Sequence, residues 1–191
     1  MKKMTTYNTY ADAANTAVRA FLTSVGEHYL GETFNTGSGS GKRIWETIKE
    51  EFDHRCAYCN KQTTLQIEHL VMFNRTEYGL HHPGNIVPTC PDCNKRQRKE
   101  VEVSPGRVKK VYVNWEGQLK VICKGNETNF NKRKKKIEKS IKKYNYPELS
   151  KNEENSIRVM AESLYGLIKQ SGDNTNILYK ELDKSFVMEK R

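Results

Sequence analysis

No apolar run in the chain approaches the roughly 18 to 20 residues that a membrane-spanning helix needs, and the mean hydropathy is -0.85. A bilayer-crossing role is therefore not expected. The basic start, Met1-Lys2-Lys3-Met4, is not followed by the uninterrupted apolar stretch of a secretory signal. The reading is a soluble, cytoplasmic protein. Proline is scarce, at five residues, and so is cysteine, whose five copies make an awkward odd number for a disulfide framework. With 191 residues, 36% of them hydrophobic, the chain is too short for several large domains. It suits one compact domain, or a small core with appended helices.

Acidic residues are missing selectively. The formal net charge is +10, but residues 95–143 hold 17 basic side chains against five acids, so this stretch carries +12 and the remainder -2. Cations confined in this way suggest a surface facing a polyanion, with nucleic acid first among candidate partners. A solvated, lysine-rich helix is the plainer explanation of the charge taken alone.

Hydrophobic spacing divides the chain into four stretches. Residues 1–41 hold a helix from about Asn8 to Leu30, carrying Tyr10, Ala13, Ala14, Ala17, Phe21 and Val25, with Asn8 or Thr9 as its cap. A flexible Gly/Ser-rich connector ends this stretch. Residues 42–104 open with a helix that turns Ile44, Trp45, Ile48 and Phe52 to one side, and continue into the segment densest in Cys, His and Asn. Residues 105–146 read as a hairpin over 107–123, turning at Trp115-Glu116-Gly117, followed by a lysine-rich helix with Ile137, Ile141 and Tyr144 on one face. Residues 147–191 begin with a capping box, Ser150 and Glu153, on a helix that Gly172 closes, before a last short helix with Leu178, Leu182 and Phe186. These C-terminal helices are open to packing on the core, forming a homodimer or docking a protein partner. The fold class expected is α+β.

Four cysteines form two C-x-x-C pairs, Cys56/Cys59 and Cys90/Cys93. Two such turns supply the four thiolates of a closed tetrahedral structural zinc site. Two disulfides or an iron-sulfur cluster are the other uses of the same residues. An all-cysteine shell leaves no open position for chemistry. Cys123 lies outside the pattern and reads as an ordinary strand cysteine; His54, His81 and His82 read as structural or loop histidines.

Between the two pairs lies a series of motifs: Cys56-Ala57-Tyr58-Cys59, Ile67-Glu68-His69-Leu70, Asn85-Ile86-Val87-Pro88 and Cys90-Pro91-Asp92-Cys93-Asn94. Over these roughly 45 residues the chain resembles the HNH endonucleases, a family with a ββα-metal fold. The resemblance implies that Glu68 is a metal ligand, His69 the general base, Asn85 the residue that positions the histidine through its loop, and Asn94 a second metal ligand on a helix. It also implies phosphodiester hydrolysis leaving 5′-phosphate and 3′-hydroxyl ends. The chemistry is coherent. Hydrolysis needs a water deprotonated near neutral pH and a cation against the phosphoryl charge, and an oxygen-ligated site suits magnesium or manganese rather than zinc. Adjacent strand residues face opposite ways, so Glu68 and His69 require a bulge or a strand end. This chain departs from the family pattern in having Glu68 where aspartate is usual, no proline soon after His69, and Gln97 where a lysine often stands.

The resulting expectation is a metal-dependent HNH endonuclease acting on DNA, of a size that suits a restriction or antiviral defence enzyme, with Lys95, Arg96, Arg98, Lys99, Lys134 and Lys135 meeting phosphates. The alternatives are a non-catalytic zinc-stabilised DNA-binding module or a partner-activated nuclease subunit. A zinc nucleobase deaminase is excluded, because Thr89 precedes Cys90 and no H-x-E occurs.

Overall fold

The computed structural model describes residues 10–188. The proposed caps Asn8 and Thr9 lie outside them. Helix α1 (Tyr10–Leu30) leads through a turn to α2 (Gly39–Glu51), and a long irregular segment follows. Strands β1 (Gln66–His69) and β2 (Ile86–Thr89) pair antiparallel, Glu68 opposite Val87 and His69 opposite Ile86. A second antiparallel pair, β3 (Arg98–Ser104) and β4 (Arg107–Tyr112), forms a separate two-stranded sheet. Helices α3 (Trp115–Cys123), α4 (Glu127–Lys143) and α5 (Lys151–Met188) complete the described chain. The class is α+β, as expected.

The connector before α2 is less loose than its composition implies. Phe34 is 1% exposed in the main core, its amide donates to Glu27 Oε1 at 2.8 Å, and α2 already begins at Gly39. A single buried aromatic outweighs the flexibility of the glycines around it. Helix α2 turns Trp45 and Ile48 inward as its spacing predicts, with Ile44 and Phe52 packed alongside. Against them lie Tyr58, Ile86, Val87, the cysteines, Leu119 of α3 and Ile137 of α4.

The hairpin is displaced from where alternation put it. Residues 115–123 are helical, because Asn114 Oδ1 accepts from the Gly117 amide at 2.9 Å and caps α3. Trp115, Leu119 and Ile122 then share the face toward the core. Cys123 consequently ends a helix and is not a strand residue. The actual hairpin turns at Pro105-Gly106, where Gly106 has φ 75°, a left-handed backbone that glycine adopts at no steric cost.

Helix α5 is also longer than predicted. The Ser150 hydroxyl and amide both bond Glu153, as the capping box requires, but the helix runs unbroken through Gly172 to Met188. Glycine inside a helix costs only about 1 kcal/mol, which does not suffice to stop a long one. Helix α5 packs against α1 through Ala14, Val18, Leu22, Ile157 and Ala161, so the two ends of the sequence form one layer. The buried stripe of α1 thus runs through Ala14, Val18 and Leu22, a phase shifted from the one its alanines suggest.

That layer also supports the loop between β1 and β2, through Leu80, Phe73 and Tyr78. Gly26 of α1 lies flat on this loop, since a Cβ there would fall 2.4 Å from the His81 carbonyl oxygen. We expect Gly26→Ala to lose about 1–3 kcal/mol by overpacking, read as a lower denaturant midpoint at unchanged slope. An unchanged midpoint would show that the contact does not hold the loop.

Candidate functional site

The four cysteines meet as their spacing predicts. Their Sγ atoms all lie within 4.8 Å of one another, and three of the residues are buried. Cys59 Sγ and Cys90 Sγ are 3.7 Å apart. Four sulfurs around an ion at the usual Zn–S distance of about 2.3 Å stand about 3.8 Å apart, whereas a disulfide needs about 2.05 Å. The cluster could therefore hold a structural metal such as zinc. The Cys56 thiol is pulled down to about 4, first by a hydrogen bond from Cys93 and then by backbone amides of Cys59, Cys90 and Tyr58. The shift is reciprocal within the cluster: the same hydrogen bond pushes the Cys93 thiol up, and burial pushes up that of Cys59.

His69 is the last residue of β1, but the strand end does not turn it to the side of Glu68. Its ring stacks on Phe73 at 4.7 Å, and its Nε2 lies 3.0 Å from His81 Nδ1. Burial, His81 and Arg96, in that order, push the His69 imidazolium down to about 3, so the ring is neutral near physiological pH. His81 is lowered too, by burial. The loop carrying these rings is clasped by Asn85. Its Oδ1 accepts from the Val71 amide at 2.8 Å, and its Nδ2 donates to the Val71 and Leu80 carbonyls at 2.9 and 2.8 Å. Its own carbonyl accepts from Leu70 N–H at 2.8 Å. His82 is buried and caps the turn before β2, accepting from Gly84 N–H at 3.1 Å.

Glu68 faces away from His69, as strand geometry requires. Its carboxylate meets the Arg96 guanidinium in a short charged hydrogen bond and accepts from the Tyr58 hydroxyl at 3.4 Å. The Arg96 and Glu68 side chains are 5% and 7% exposed. The same Arg96 nitrogen donates to the His69 and Leu70 carbonyls at 2.8 and 3.3 Å. Burial pushes the Glu68 carboxyl up, against the opposing pull of Arg96. Arg96 is therefore an internal cation and does not reach out to a phosphate.

Asn94 does not sit on a helix. It lies in a turn closed by its amide to the Cys90 carbonyl at 3.0 Å, and its Nδ2 donates to Gln66 Oε1 at 3.0 Å and the Ile67 carbonyl at 3.4 Å. The helix that the resemblance places here is replaced by tertiary bonds from Gln118 of α3. Gln118 Oε1 accepts from the Gln97 amide at 2.9 Å, while Nε2 donates to the Cys93 and Lys95 carbonyls at 3.2 and 3.1 Å. The backbone groups that a helix would pair are already satisfied, and the chain turns out into β3.

The resemblance puts magnesium or manganese between Glu68 and Asn94. Here Glu68 is held by the Arg96 guanidinium and Asn94 donates its amide nitrogen to Gln66 and Ile67, so an ion at Glu68 would have to displace the Arg96 contact. Among the described residues, the cysteine cluster is the group of three or more His, Cys, Asp or Glu side chains close enough to share an ion. Of the cations read as phosphate contacts, Lys95, Arg98, Lys99 and Lys135 are exposed. Lys134 instead pairs with Glu116 at 2.9 Å and Glu138 at 3.8 Å.

Sequence reasoning missed His81, Gln118 and the internal role of Arg96. His81 had one legible signal, a second imidazole in the same short loop. The other two depend on partners 21 to 28 positions away in sequence. Comparison of the chain with protein-family models, with curated proteins and with solved structures finds no match in any of the three.

Proposed function

We propose that this chain is a DNA endonuclease of the HNH type, stapled by zinc in its four-cysteine cluster, with His69 as the general base. The observation that supports this most is the neutral His69 ring at the end of β1, on a loop that Asn85 clasps at both ends. In the tautomer that this reading uses, His69 Nε2 donates to His81 Nδ1, so that His69 Nδ1 is the nitrogen that accepts a proton. A water then loses that proton to His69 and attacks phosphorus. The new P–O bond forms as the bond to the 3′ oxygen breaks, and the departing oxygen takes a proton from solvent. A phosphate anion alongside the ring favours imidazolium and lifts its affinity for the proton toward the range where a base works well.

The family's magnesium or manganese dependence is part of this reading, and the Arg96 contact to Glu68 is the feature that weighs against it. That contact favours the second reading, a zinc-stabilised binding module without catalysis. Cleavage of both strands would require two active sites, and exposed Met160, Leu167 and Leu178 on α5 make this helix the surface for a second copy or a protein partner.

The test is cleavage of supercoiled plasmid by zinc-loaded protein, with magnesium, with manganese and with neither. We expect nicked or linear products from wild type with a divalent ion, and a loss of at least about a hundredfold in His69→Ala, the lower range for removing a general base. No cleavage by either protein, with salt-sensitive DNA binding intact, would establish the binding module instead.

A further inference from the structure

Strands β3 and β4 stand apart from every other strand among the described residues, as a ribbon whose β3 is exposed along its whole length. A two-stranded ribbon alone in water is marginally stable, and this one leaves Val101, Val103 and Val108 exposed. Its two faces differ in a way that the cross-strand register reveals. Residues directly opposite share a face, so Arg98/Tyr112, Glu100/Lys110 and Glu102/Val108 lie on one side. That side satisfies its own charges. The Arg98 guanidinium stacks on Tyr112 at 4.5 Å, Lys110 lies 3.7 Å from Glu100, and Glu102 accepts from the Gly106 amide at 2.9 Å.

The other side holds Lys99/Val111 and Val101/Lys109, with Arg107 on the same face of β4. It has three cations and no acid. None of Lys99, Arg107 and Lys109 has a salt-bridge partner among the described residues. A ribbon that pairs its charges on one face and leaves them unpaired around valines on the other is built for contact with an anion that also offers apolar edges.

We infer that the Lys99/Val101/Lys109/Arg107 face of the β3–β4 ribbon enters the major groove of duplex DNA and sets where the protein binds. This rests on the nuclease reading for the choice of DNA as the polyanion. A two-stranded ribbon fits the major groove of undistorted B-DNA, about 12 Å wide, whereas the minor groove, about 6 Å wide, admits one only if the duplex is deformed. The cations reach flanking phosphates, while Val101 meets base edges, where the thymine methyl group is the apolar feature. Strand β3 begins two residues after Arg96, so a ribbon seated in a groove holds DNA beside the loop of His69.

The experiment measures duplex binding by full-length, zinc-loaded protein in the His69→Ala background, so that binding is read without cleavage. The triple variant Lys99→Gln/Arg107→Gln/Lys109→Gln is compared with Lys110→Gln, on the self-paired face. We expect the triple to reduce the slope of log affinity against log salt by about 2.7, at about 0.9 for each phosphate that is no longer neutralised, and Lys110→Gln to leave it unchanged. Methyl green, which occupies the major groove, should compete for binding, and netropsin, which occupies the minor groove, should not. All four substituted side chains are exposed, so folding is checked simply by zinc content and circular dichroism. An unchanged slope in the triple, competition by netropsin alone, or equal binding to duplex RNA, whose major groove is deep and narrow, would overturn the inference. Plasmid that stays uncut while the ribbon behaves as expected would overturn the nuclease reading and leave this one standing.

Discussion

Removing the metal from the Cys56, Cys59, Cys90 and Cys93 cluster is expected to unfold the core, the largest single effect on stability in this protein. Cys56, Cys90 and Cys93 are part of the same apolar cluster as Tyr58, Ile86, Val87 and Leu119, so a metal held there would be continuous with the packing. The two strands of the central pair are only four residues each, too short to persist alone. Structural zinc contributes about 10–16 kcal/mol of apparent binding free energy in small metal-held modules, comparable with or above the roughly 5–15 kcal/mol total stability of an ordinary domain. Chelation should therefore abolish cooperative thermal unfolding, and Cys90→Ser should reproduce the effect in part by removing one ligand. Metal analysis should find about one zinc per chain, released in step with the circular dichroism change. A metal-free protein with an unaltered melting temperature would show that the four thiols need no ion.

Arg96→Met carries the second large effect, about 3–5 kcal/mol of lost stability from leaving a buried carboxylate without its partner. Glu68 sits beside Tyr58 in the core, and no other cationic side chain lies within salt-bridge reach of it among the described residues. The double variant Glu68→Gln/Arg96→Met should recover most of the loss, because replacing both members of a buried pair avoids the orphaned charge. The pH dependence follows in sign. Burial already raises the Glu68 carboxyl in the wild type, and without Arg96 it rises further. The folded variant then binds a proton more readily than its unfolded chain, so its stability increases as pH falls through that raised value toward the ordinary carboxylate range. Urea unfolding of zinc-loaded protein across a pH series should show the loss relative to wild type shrinking as pH falls. A loss below about 1 kcal/mol would place the pair among weak surface bridges, and a loss constant across the series would mean that Glu68 does not titrate within it. In the proposed nuclease a divalent ion at Glu68 would compete with the guanidinium for the same carboxylate, so this variant would also test that reading.

Some of this molecule was legible residue by residue. The C-x-x-C spacing announces the cysteine cluster because two thiols three positions apart must share a turn, whatever the rest of the fold does. The inward face of α2, the lysine-rich helix with Ile137 and Ile141, and the Ser150–Glu153 capping box are equally local, set by a 3.6-residue period or a three-residue reach. Asn85 could be assigned to the loop after His69 only through the family resemblance, and its three side-chain hydrogen bonds go to the Val71 and Leu80 backbone of that loop.

What the tertiary structure decided has a common cause: each case turns on a partner distant in sequence. Residues 94–97 have no helix because Gln118 takes the backbone groups that a helix would have paired. Arg96 reads as a phosphate contact from its basic surroundings, yet Glu68 and two carbonyls draw it inside. His81 reads as a loop histidine until the clasp of Asn85 brings its ring to His69. Local pattern determines which segments can be helix, strand or clamp; long-range satisfaction of buried polar groups determines which charges face solvent and which face each other.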